Sequence, residues 1–396
     1  MKKTIKNNVY WVGKIDWELQ SFHGADYSIH HGSSQNAYLI QEEKTVLIDT
    51  VWAPHSTGFV ENLQQELDLH TIDFIVANHG EIDHSGSLPL LLEKIPGTPV
   101  YCTTNAVKSL IGQYHHPDWN FHVVKTGDSV DIGHGRQLVF VEMKMLHWPD
   151  SMATYLTGDN ILFSNDAFGQ HYAVEELFND KADTCILDHE ALKYYANILT
   201  PFSAFARKKL QEIIALNLPI DIIAPSHGAI WRDNPLQIVA KYQKWADDYQ
   251  EDQITVVYDT MWDGTMTLAH AIAKAVSKHS PQTKVKLFNI SKTDKNDIMT
   301  EVFRSKAIAV GSPTVGGDIL SSMGGWLCFL KELKFKRKRA AVFGCYGWSG
   351  EGNRVLRDSL TQAGFTVVEP EIRCNWNPQE VDLKGAEAIA EALCRP

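Results

Sequence analysis

The stretch His79-Gly80-Glu81-Ile82-Asp83-His84 places two imidazoles and two carboxylates within six residues. It follows the apolar run Phe74 to Ala77, which has the composition of a buried strand. We therefore expect the four polar side chains on the loop that leaves this strand, where they can fan out towards two neighbouring ions. A single four-coordinate zinc ion does not require both carboxylates among the histidines. The stretch predicts a two-metal site, and the alternative is a solvated polar loop.

Length and composition indicate a globular protein of two domains. The chain has 396 residues, more than one ordinary core organises, and 44% of them are hydrophobic and 21% charged. The formal net charge of -11 disfavours binding to nucleic acid. The basic run Lys334 to Arg339 is short and is interpreted as a solvated turn before a strand.

The sequence predicts a cytoplasmic location. The first residues lack a continuous apolar signal region, and no stretch approaches the roughly 18 apolar residues that cross a membrane. The cysteines form no Cys-x-x-Cys pair, which favours reduced thiols and excludes a thiolate-bound iron or zinc module in this sequence. These cysteines are Cys102, Cys185, Cys328, Cys345, Cys374 and Cys394.

The two halves of the chain have different patterns. Short apolar runs and helical stretches in the first half suit a layered α/β architecture with helices over the sheet faces. In the second half, five apolar runs alternate with helical segments, as a parallel doubly wound sheet requires. The polar stretch Asp247 to Gln253 is the expected boundary, which gives domains at residues 1–250 and 251–396. The expected strands are Tyr38 to Ile40, Thr45 to Asp49, Phe74 to Asn78, Leu138 to Val141, Ile161 to Asn165 and Ile222 to Ser226, then Ile254 to Tyr258, Val285 to Phe288, Ala307 to Val310, Ala340 to Phe343 and Phe365 to Val368.

Three more residues of metal-binding type stand at the ends of predicted strands: His147, Asp166 and His227. Each one alone is more readily interpreted as a capping or core residue. Together they supply the further ligands that two ions need, because each stands where a strand gives way to a loop.

Three loops of the second half predict a flavin site. Thr260, Gly264 and Thr265 follow the first strand and precede a helical pattern, so hydroxyls and a helix N-terminus can hold a phosphate. Neither Gly-Lys-Ser nor Gly-x-Gly-x-x-Gly occurs there, which disfavours a nucleoside triphosphate and a dinucleotide. Trp348 and Tyr346 can cover an isoalloxazine where the loops meet, although core packing is the alternative for the indole. The expected FMN-binding residues are Thr260, Met261, Trp262, Asp263, Gly264, Thr265, Ser312, Pro313, Thr314, Gly344, Tyr346, Gly347, Trp348 and Gly350.

The loop at residue 79, with the later His, Asp and His, resembles the metallo-β-lactamase fold. Many zinc hydrolases of that fold carry histidine where this chain has Glu81, and the anion makes the site harder and better suited to iron. Together with the flavin loops, essentially the whole chain resembles the flavodiiron proteins, and its local phrasing resembles the core of the flavorubredoxins. The resemblance implies a metallo-β-lactamase-like αββα sandwich followed by a flavodoxin-like doubly wound parallel sheet.

The resemblance also implies the roles of the metal-binding residues. His23, His171 and Tyr195 are expected at the wall of the metal pocket as hydrogen-bond donors. A carboxylate that bridges the two irons leaves each of them an open position for a small ligand. One iron is expected on His79, Glu81 and His147, the second on Asp83, His84 and His227, with Asp166 bridging the two.

The activity implied by the resemblance is reduction of NO to N2O, of O2 to water, or of both, with FMN returning electrons to the irons. A head-to-tail homodimer is also implied, because the flavin of one subunit then lies close to the irons of the other. Flavorubredoxins continue into a rubredoxin module, and this sequence stops at Pro396 without one. The donor is then a rubredoxin-like protein in trans, or the sequence is truncated, and both alternatives stay open.

Two other functions are compatible with parts of the pattern. A zinc hydrolase fused to a flavodoxin-like module is one, but it requires Glu81 to bind zinc and gives the flavin no purpose. An electron carrier with a vestigial metal fold is the other, and the complete set of seven ligand-type residues disfavours it.

Overall fold

The computed structural model describes residues 2–395, which form two compact units. The first unit contains the chain up to Tyr194 and the segment Ala204–Lys244. The second contains Tyr195–Ser203 and the chain from Trp245 onward. Each unit has its own hydrophobic core. The domain ranges 1–250 and 251–396 stay a prediction.

The first unit is rich in short strands. Its helices are α1 (Ser56–Glu66), α2 (Ile82–Ser85), α3 (Leu88–Lys94), α4 (Thr104–Tyr114), α5 (Thr184–Tyr194), α6 (Ser203–Ala215) and α7 (Leu236–Trp245). Its strands are β1 (Lys3–Lys6), β2 (Val9–Trp11), β3 (Lys14–Asp16), β4 (Ser21–Phe22), β5 (Tyr27–Ser28), β6 (Ser33–Gln35), β7 (Tyr38–Gln41), β8 (Thr45–Ile48), β9 (Ile72–Val76), β10 (Val100–Cys102), β11 (Phe121–Val123), β12 (Ser129–Gly133), β13 (Arg136–Glu142), β14 (Met152–Leu156), β15 (Ile161–Asn165) and β16 (Ile222–Pro225).

Two large sheets form the centre of the first unit. One has seven strands in the order β1-β2-β7-β8-β9-β10-β11, and the other has five in the order β12-β13-β14-β15-β16. Strands β8 to β11 run parallel, as do β15 and β16, and the remaining pairs in these two sheets are antiparallel. Two small antiparallel pairs, β3 with β6 and β4 with β5, lie outside these sheets.

Alternation along β9 shows why this strand is apolar throughout. Phe74 and Val76 join the core that the two sheets share, whereas Ile75 joins a second core on the other face of the seven-stranded sheet. Successive side chains of a strand point to opposite faces, so a strand covered on both sides has no polar face. The run that reads as a buried strand in the sequence is therefore a central strand of the fold.

Helices cover the outer faces of both sheets. The outer core of the seven-stranded sheet contains Phe59 and Leu63 of α1 and Leu110 of α4. On the five-stranded side, Phe168 packs against Tyr242 of α7 with ring centroids 4.8 Å apart. The order of layers is helix, sheet, sheet, helix, and the predicted αββα sandwich is confirmed.

The second unit is a parallel sheet flanked by helices. Its strands pair in the order β18-β17-β19-β20-β21, and β22 also pairs with β20. This is the flavodoxin-like strand order, so the predicted doubly wound parallel sheet is confirmed. The helices are α8 (Gly264–His279), α9 (Lys295–Arg304), α10 (Ser321–Leu333), α11 (Gly352–Gln362) and α12 (Glu380–Cys394). The strands are β17 (Glu251–Tyr258), β18 (Lys284–Asn289), β19 (Ser305–Gly311), β20 (Arg339–Tyr346), β21 (Thr366–Val367) and β22 (Ile372–Asn375).

The last predicted strand differs from the structure. The run Phe365 to Val368 contributes only the two residues of β21, and β22 continues the same edge alongside the second half of β20. Pro370 separates the two, and proline cannot donate to a sheet ladder. Residues of β22 alternate between buried and exposed, so a search for continuous apolar runs misses this strand.

The basic run Lys334 to Arg339 was predicted to be a solvated turn, which is wrong for Lys338. This side chain is only 3% exposed. Its Nζ donates hydrogen bonds to the carbonyl oxygens of Tyr249 at 2.9 Å, Phe303 at 2.8 Å and Ser305 at 2.6 Å. A buried ammonium group is tolerated because three backbone acceptors replace its water.

The helices within residues 2–395 are short. The longest helix, Gly264–His279, has 16 residues. Within the described part of the chain, no helix combines the length and the apolar character needed to span a membrane.

Candidate functional site

The first four predicted ligands lie just beyond the end of β9. His79 and Glu81 are on the connecting segment, as expected. Asp83 and His84 are instead on the short helix α2, so the prediction that all four lie in a loop is wrong. Glu81 is the residue that precedes this helix, and Ser85 Oγ donates to the Glu81 carbonyl at 2.8 Å. Because of this tight turn, neighbouring ligands point towards two different groups of side chains, as was expected of a loop.

The other three predicted ligands also follow strands. His147 lies in the connection between β13 and β14, Asp166 directly follows β15, and His227 lies two residues beyond β16. All three side chains are buried or nearly so. The structure therefore brings all seven sequence-predicted residues to one end of the sandwich, where strands of both sheets terminate.

The seven side chains form two groups. In the first, Glu81 Oε2 lies 3.3 Å from His79 Nε2 and 3.5 Å from His147 Nε2. In the second, Asp83 Oδ2 lies 3.1 Å from His84 Nε2 and 3.0 Å from His227 Nε2. Within each group the ligand atoms lie within 4.8 Å of one another, which is the spacing of donors around a single ion.

Asp166 faces both groups through different oxygens. Its Oδ2 lies 3.6 Å from His79 Nε2 and 3.5 Å from His147 Nε2. Its Oδ1 lies 3.0 Å from His84 Nε2 and 3.5 Å from His227 Nε2. A carboxylate oriented in this way is suited to bridge two cations.

Several buried atoms of the cluster have no hydrogen-bond partner among the described residues. They include His79 Nε2, His84 Nε2 and both carboxylate oxygens of Asp83 and of Asp166. Buried polar atoms are almost always paired in folded proteins, because leaving them unpaired is costly. Convergent imidazole and carboxylate lone pairs fit metal cations, and three carboxylates make the set oxygen-rich, which suits iron.

The charges of the cluster shift its proton affinities. Burial alone lowers the pKa of His84, but Asp83 and Asp166 outweigh burial and raise it to about 9. Burial alone raises the pKa of Asp166, but His84 and His147 outweigh burial and hold it well below its usual range. Asp166 is thus ionised, and protons compete with a metal cation for the imidazoles.

A further set of side chains fixes the ligands, and the sequence did not single it out. Asp150 Oδ1 lies 3.3 Å from His79 Nδ1, and its Oδ2 accepts from the Gly80 N–H at 2.9 Å. His227 Nδ1 lies 2.9 Å from the Ser34 carbonyl oxygen. Such partners of the second ring nitrogen orient a metal-binding histidine. Asp150 stands only three residues after His147, which is the one signal that pointed to it.

Two of the three residues predicted at the pocket wall lie there. His23 Nε2 is 3.3 Å from Glu81 Oε1, and the His171 ring centroid is 4.9 Å from that of His227. The prediction for Tyr195 is wrong. This residue packs in the second unit against Trp245, and its hydroxyl lies 3.1 Å from Ser203 Oγ. Its neighbour Tyr194 takes the place, with its ring 5.3 Å from that of His171.

The second unit carries a pocket of about 710 Å³ beyond the carboxyl ends of its strands. Loops after β17, β19 and β20 line it, as expected for a flavodoxin-like sheet. Ten of the predicted residues line the pocket: Thr260, Met261, Trp262, Gly264, Thr265, Pro313, Thr314, Tyr346, Gly347 and Trp348.

The polar end of this pocket fits a phosphate. Thr260 Oγ1 and Thr265 Oγ1 are buried without an oxygen or nitrogen partner, and the 16-residue helix α8 begins at Gly264 between them. Hydroxyls and free N–H groups at a helix N-terminus favour an anion. The indoles of Trp348 and Trp262, which are 89% and 83% exposed, give a flat aromatic rim.

Four predicted flavin residues do not line the pocket: Asp263, Ser312, Gly344 and Gly350. Ser312 is buried beneath the loop, where its Oγ accepts from the Leu320 N–H at 3.1 Å. At Gly344, a Cβ atom would collide with the Ser312 carbonyl, so this glycine serves chain packing. Five lining residues were missed: Gly316, Cys345, Ser349, Trp376 and Asn377. Trp376 and Asn377 follow the edge strand that the sequence pattern did not reveal.

Comparison with known proteins agrees with this architecture. The model of the ODP family beta lactamase matches residues 33–228, and the model of Flavodoxin matches residues 256–389. The anaerobic nitric oxide reductase flavorubredoxin of Aliivibrio fischeri is 54% identical over 380 residues, 96% of this chain and 76% of that protein. The protein of the same name from Klebsiella pneumoniae is 53% identical over 395 residues, 100% of this chain and 80% of that protein.

This chain belongs to the flavodiiron protein family. The rubredoxin oxygen:oxidoreductase of Desulfovibrio gigas is 32% identical, with a TM-score of 0.96 over 100% of this chain and 98% of that one. The flavodiiron protein of Giardia intestinalis is 31% identical, with a TM-score of 0.93 over 100% and 96% of the two chains. The family predicted from the sequence is confirmed, and so is its order of a metallo-β-lactamase-like and a flavodoxin-like part.

Membership of the flavodiiron family decides between the predicted functions. Relatives that align with nearly the whole chain are named as reductases, so the oxidoreductase class is confirmed and the zinc-hydrolase alternative is wrong. The expected cofactors, FMN and a non-haem diiron centre, agree with the family and with the donor atoms present at both sites.

Proposed function

We propose that this protein reduces nitric oxide to nitrous oxide at a non-haem diiron centre, with electrons supplied by FMN. The single observation that carries the proposal is Asp166, which presents one carboxylate oxygen to each of two convergent ligand groups. Reduction of O2 to water remains the second candidate, because a related structure is named an oxygen oxidoreductase. Nitric oxide is favoured because the relatives named for it are 53% to 55% identical, against 32% for that structure.

Seven residues are proposed to hold the metal pair. When bound, two ferrous ions supply neighbouring positions for gaseous ligands and a store of electrons. The chain would contribute three ligands to each ion and one shared carboxylate. The proposed sets are His79, Glu81 and His147 for one ion and Asp83, His84 and His227 for the other, with Asp166 shared.

The wall of the metal pocket is proposed to supply the protons that the reaction consumes. Each N2O formed from two NO molecules requires two electrons and two protons. His23 lies against Glu81 and is partly exposed, so it is placed to pass protons between solvent and the pocket. Phe22 contacts His171 and His227 through its ring and keeps that side of the pocket apolar.

The flavin is proposed to lie in the pocket of the second unit. Thr260 and Thr265 hold its phosphate with the N-terminus of α8, and Trp348 and Tyr346 flank its ring system. A fully reduced flavin stores two electrons, which matches the demand of one N2O. We assign this role to the flavodoxin-like domain at 251–396 and the metal site to the domain at 1–250.

The remaining proposals concern partners and location. A head-to-tail homodimer would bring the flavin of one subunit close to the irons of the other, and the exposed indoles of Trp262 and Trp348 support a partner at the flavin pocket. The relatives are named flavorubredoxins, which supports a rubredoxin-type donor of electrons. A cytoplasmic site of action fits the absence of a spanning helix within residues 2–395.

The decisive experiment is turnover of the purified, iron-loaded and FMN-loaded protein with chemically reduced rubredoxin in deoxygenated buffer, to which either NO or O2 is added. NO consumption and O2 consumption are measured on one preparation, alongside iron and zinc content. We expect iron near two per chain and faster consumption of NO than of O2. A protein that contains zinc and consumes neither gas would overturn the proposal, and faster consumption of O2 would replace it with the second candidate.

A further inference from the structure

Two cysteines beside the flavin pocket have no role in the proposed reaction. Cys345 lies near the end of β20 and lines the pocket, and Cys374 lies on the neighbouring strand β22. The two residues are direct partners in the parallel register of these strands. Neighbouring strands lie about 4.8 Å apart, and a disulfide spans Cα separations of about 4.4–6.8 Å. The backbone therefore already has the spacing of a cross-strand disulfide.

The two thiols also point the same way. Both side chains belong to one core cluster with Ala386 and Ile389 of α12, which covers one face of the sheet. Each thiol contributes to the shift of the other's pKa, as neighbouring side chains do. Cys374 Sγ additionally donates to the carbonyl oxygen of Trp376, a residue that lines the pocket, at 3.9 Å.

Access to the pair runs through the pocket. Cys374 is fully buried, and Cys345 is 8% exposed and forms part of the pocket wall. An oxidant therefore reaches Cys345 first, with Cys374 positioned behind it. A flavin in this pocket covers the exposed part of Cys345.

We propose that Cys345 and Cys374 are a dithiol that a small two-electron oxidant such as a peroxide converts to a disulfide when the flavin pocket is empty, and that bound FMN shields. The Cys345 sulfur attacks the peroxide, the O–O bond breaks, and a sulfenic acid and one water form. The Cys374 sulfur then displaces the hydroxyl as a second water and the S–S bond forms. Two thiol protons and two electrons pass to the peroxide. The shielding rests on the proposed FMN pocket.

Burial sets the pace of this chemistry. Burial raises the pKa of the Cys345 thiol and raises the pKa of Cys374 to about 12. Both are therefore protonated at neutral pH, and only the scarce thiolate attacks an oxidant. The pair is a slow dithiol that responds to a sustained loss of flavin, and its oxidation accelerates as the pH rises.

The test compares the iron-loaded, full-length chain without FMN and with increasing FMN. Diamide serves as the oxidant, because it accepts two electrons and two protons without the iron reactions of peroxide. Free thiols are then alkylated, and peptides are mapped by mass spectrometry without reduction. We expect a cross-linked pair of peptides containing Cys345 and Cys374 in the flavin-free chain. At FMN about ten times its Kd, the cross-link should form about elevenfold more slowly, in proportion to the empty fraction.

The exposed thiols of Cys185 and Cys328 are internal controls whose oxidation should be insensitive to FMN. Cys345→Ala should abolish the cross-link and Cys328→Ala should preserve it. Reduction with dithiothreitol followed by FMN rebinding verifies that the flavin-free chain stays folded. The inference is overturned if Cys345 and Cys374 remain free thiols while Cys185 and Cys328 are oxidised.

Flavin fluorescence in the same samples separates the two proposals. If FMN binds stoichiometrically and the cross-link forms at an unchanged rate, the shielding is wrong although the flavin site stands. If FMN does not bind, the proposed flavin site is wrong, and the flavin-free samples still decide whether the dithiol forms a disulfide.

Discussion

Asp166 is the residue on which the metal centre depends most. It directly follows β15, is 1% exposed, and shares its two oxygens between the two ligand groups. The sequence indicated this residue only together with His147 and His227, because all three stand where a strand gives way to a loop. Spacing along a chain does not reveal which oxygen faces which neighbour, so the sequence alone could not predict the orientation of this carboxylate. Its role as the bridge stays a prediction.

We expect Asp166→Ala to abolish turnover and to empty at least one iron position, because each ligand group loses its shared oxygen. FMN content should be unchanged, because the flavin pocket is built from another core. Iron by elemental analysis, FMN by absorbance and NO consumption are the measurements. Asp221→Ala is the matched control at a half-exposed aspartate and should keep both cofactors. Two irons per chain with full activity in the Asp166 variant would contradict the bridge.

Trp348 is the corresponding residue of the flavin pocket, and its 89% exposure argues against the alternative of core packing. Trp348→Ala should weaken FMN binding by about 1–3 kcal/mol, the usual worth of stacking on an aromatic ring. Iron content should not change. Flavin fluorescence titration gives the affinity, and Trp17→Ala, at another exposed indole, is the control. Equal FMN affinity in both variants would remove Trp348 from the site.

At the scale of elements, the metal ligands are predictable because the fold gathers strand ends. Strands β9, β15 and β16 were predicted in place to within two residues, and a ligand follows each. The short helix α2 was not predicted, because four residues carry no periodic signal. The prediction also placed Tyr195 at the pocket wall, where the structure has Tyr194. Adjacent helical residues point about 100° apart, so an error of one position changes the surroundings completely.

Gly228 holds the element that carries His227. Its φ is +73°, and a Cβ atom there would overlap the Gln170 side chain, whose oxygen accepts from the Ala229 N–H at 2.6 Å. Gly228→Ala should lower the free energy of unfolding of the first unit by about 2–5 kcal/mol through left-handed strain and a displaced hydrogen bond. Urea unfolding and iron content are the measurements.

Gly24→Ala is the matched control for this glycine. Gly24 also has a positive φ, +69°, but nothing lies within 4 Å of a Cβ atom placed there. It should lose only about 1–2 kcal/mol from the backbone conformation. If the two variants lose the same free energy of unfolding, crowding at Gly228 contributes nothing.

Lys338 ties together the start of β19, the end of α9 and the segment before β17. Burial lowers its pKa to about 7, although Asp248 opposes the shift, whereas an unfolded lysine titrates near about 10.4. Between these values the unfolded chain holds a proton that the folded chain lacks. The free energy of unfolding of the second unit should therefore rise from about pH 7 to about pH 10.

Urea unfolding across this range checks the pH dependence. Lys338→Met has no titrating group, so the rise should be absent, although unpaired carbonyls lower its stability at every pH. Lys278→Met, at a lysine that is 76% exposed, should retain the wild-type slope. Parallel profiles for wild type and Lys338→Met would show that the folded state holds the ammonium form throughout.

At the scale of the whole molecule, the sequence revealed two kinds of sheet because their strands differ in composition. The parallel sheet of the second unit is covered on both faces, which produced its uniform apolar runs and the correct flavodoxin-like prediction. The edge of this sheet was harder to predict, since β22 alternates between buried and exposed residues. The segment Tyr195–Ser203, which joins the second unit, could not be predicted, because membership of a core depends on contacts distant in sequence.

Because the two units have separate hydrophobic cores, we expect iron and FMN to stabilise them separately. The proposed iron ligands belong to the first unit and the proposed FMN pocket belongs to the second, so each cofactor should stabilise only the unfolding transition of its own unit. Calorimetry of the full chain with and without a chelator, and with and without added FMN, tests this. We expect chelation to lower one melting temperature and FMN removal to lower another. A single transition that responds to both would contradict independent units.

The exposed indoles at the rim of the flavin pocket have a practical consequence. Trp348 and Trp262 stand almost free in water beside the place where a yellow chromophore is proposed to sit. Their emission overlaps the absorption of an oxidised isoalloxazine, so binding of the cofactor should quench their fluorescence by resonance energy transfer. Loss of that absorption when the flavin is reduced should restore fluorescence. The chain thus carries its own optical gauge of occupancy and redox state, readable without a dye.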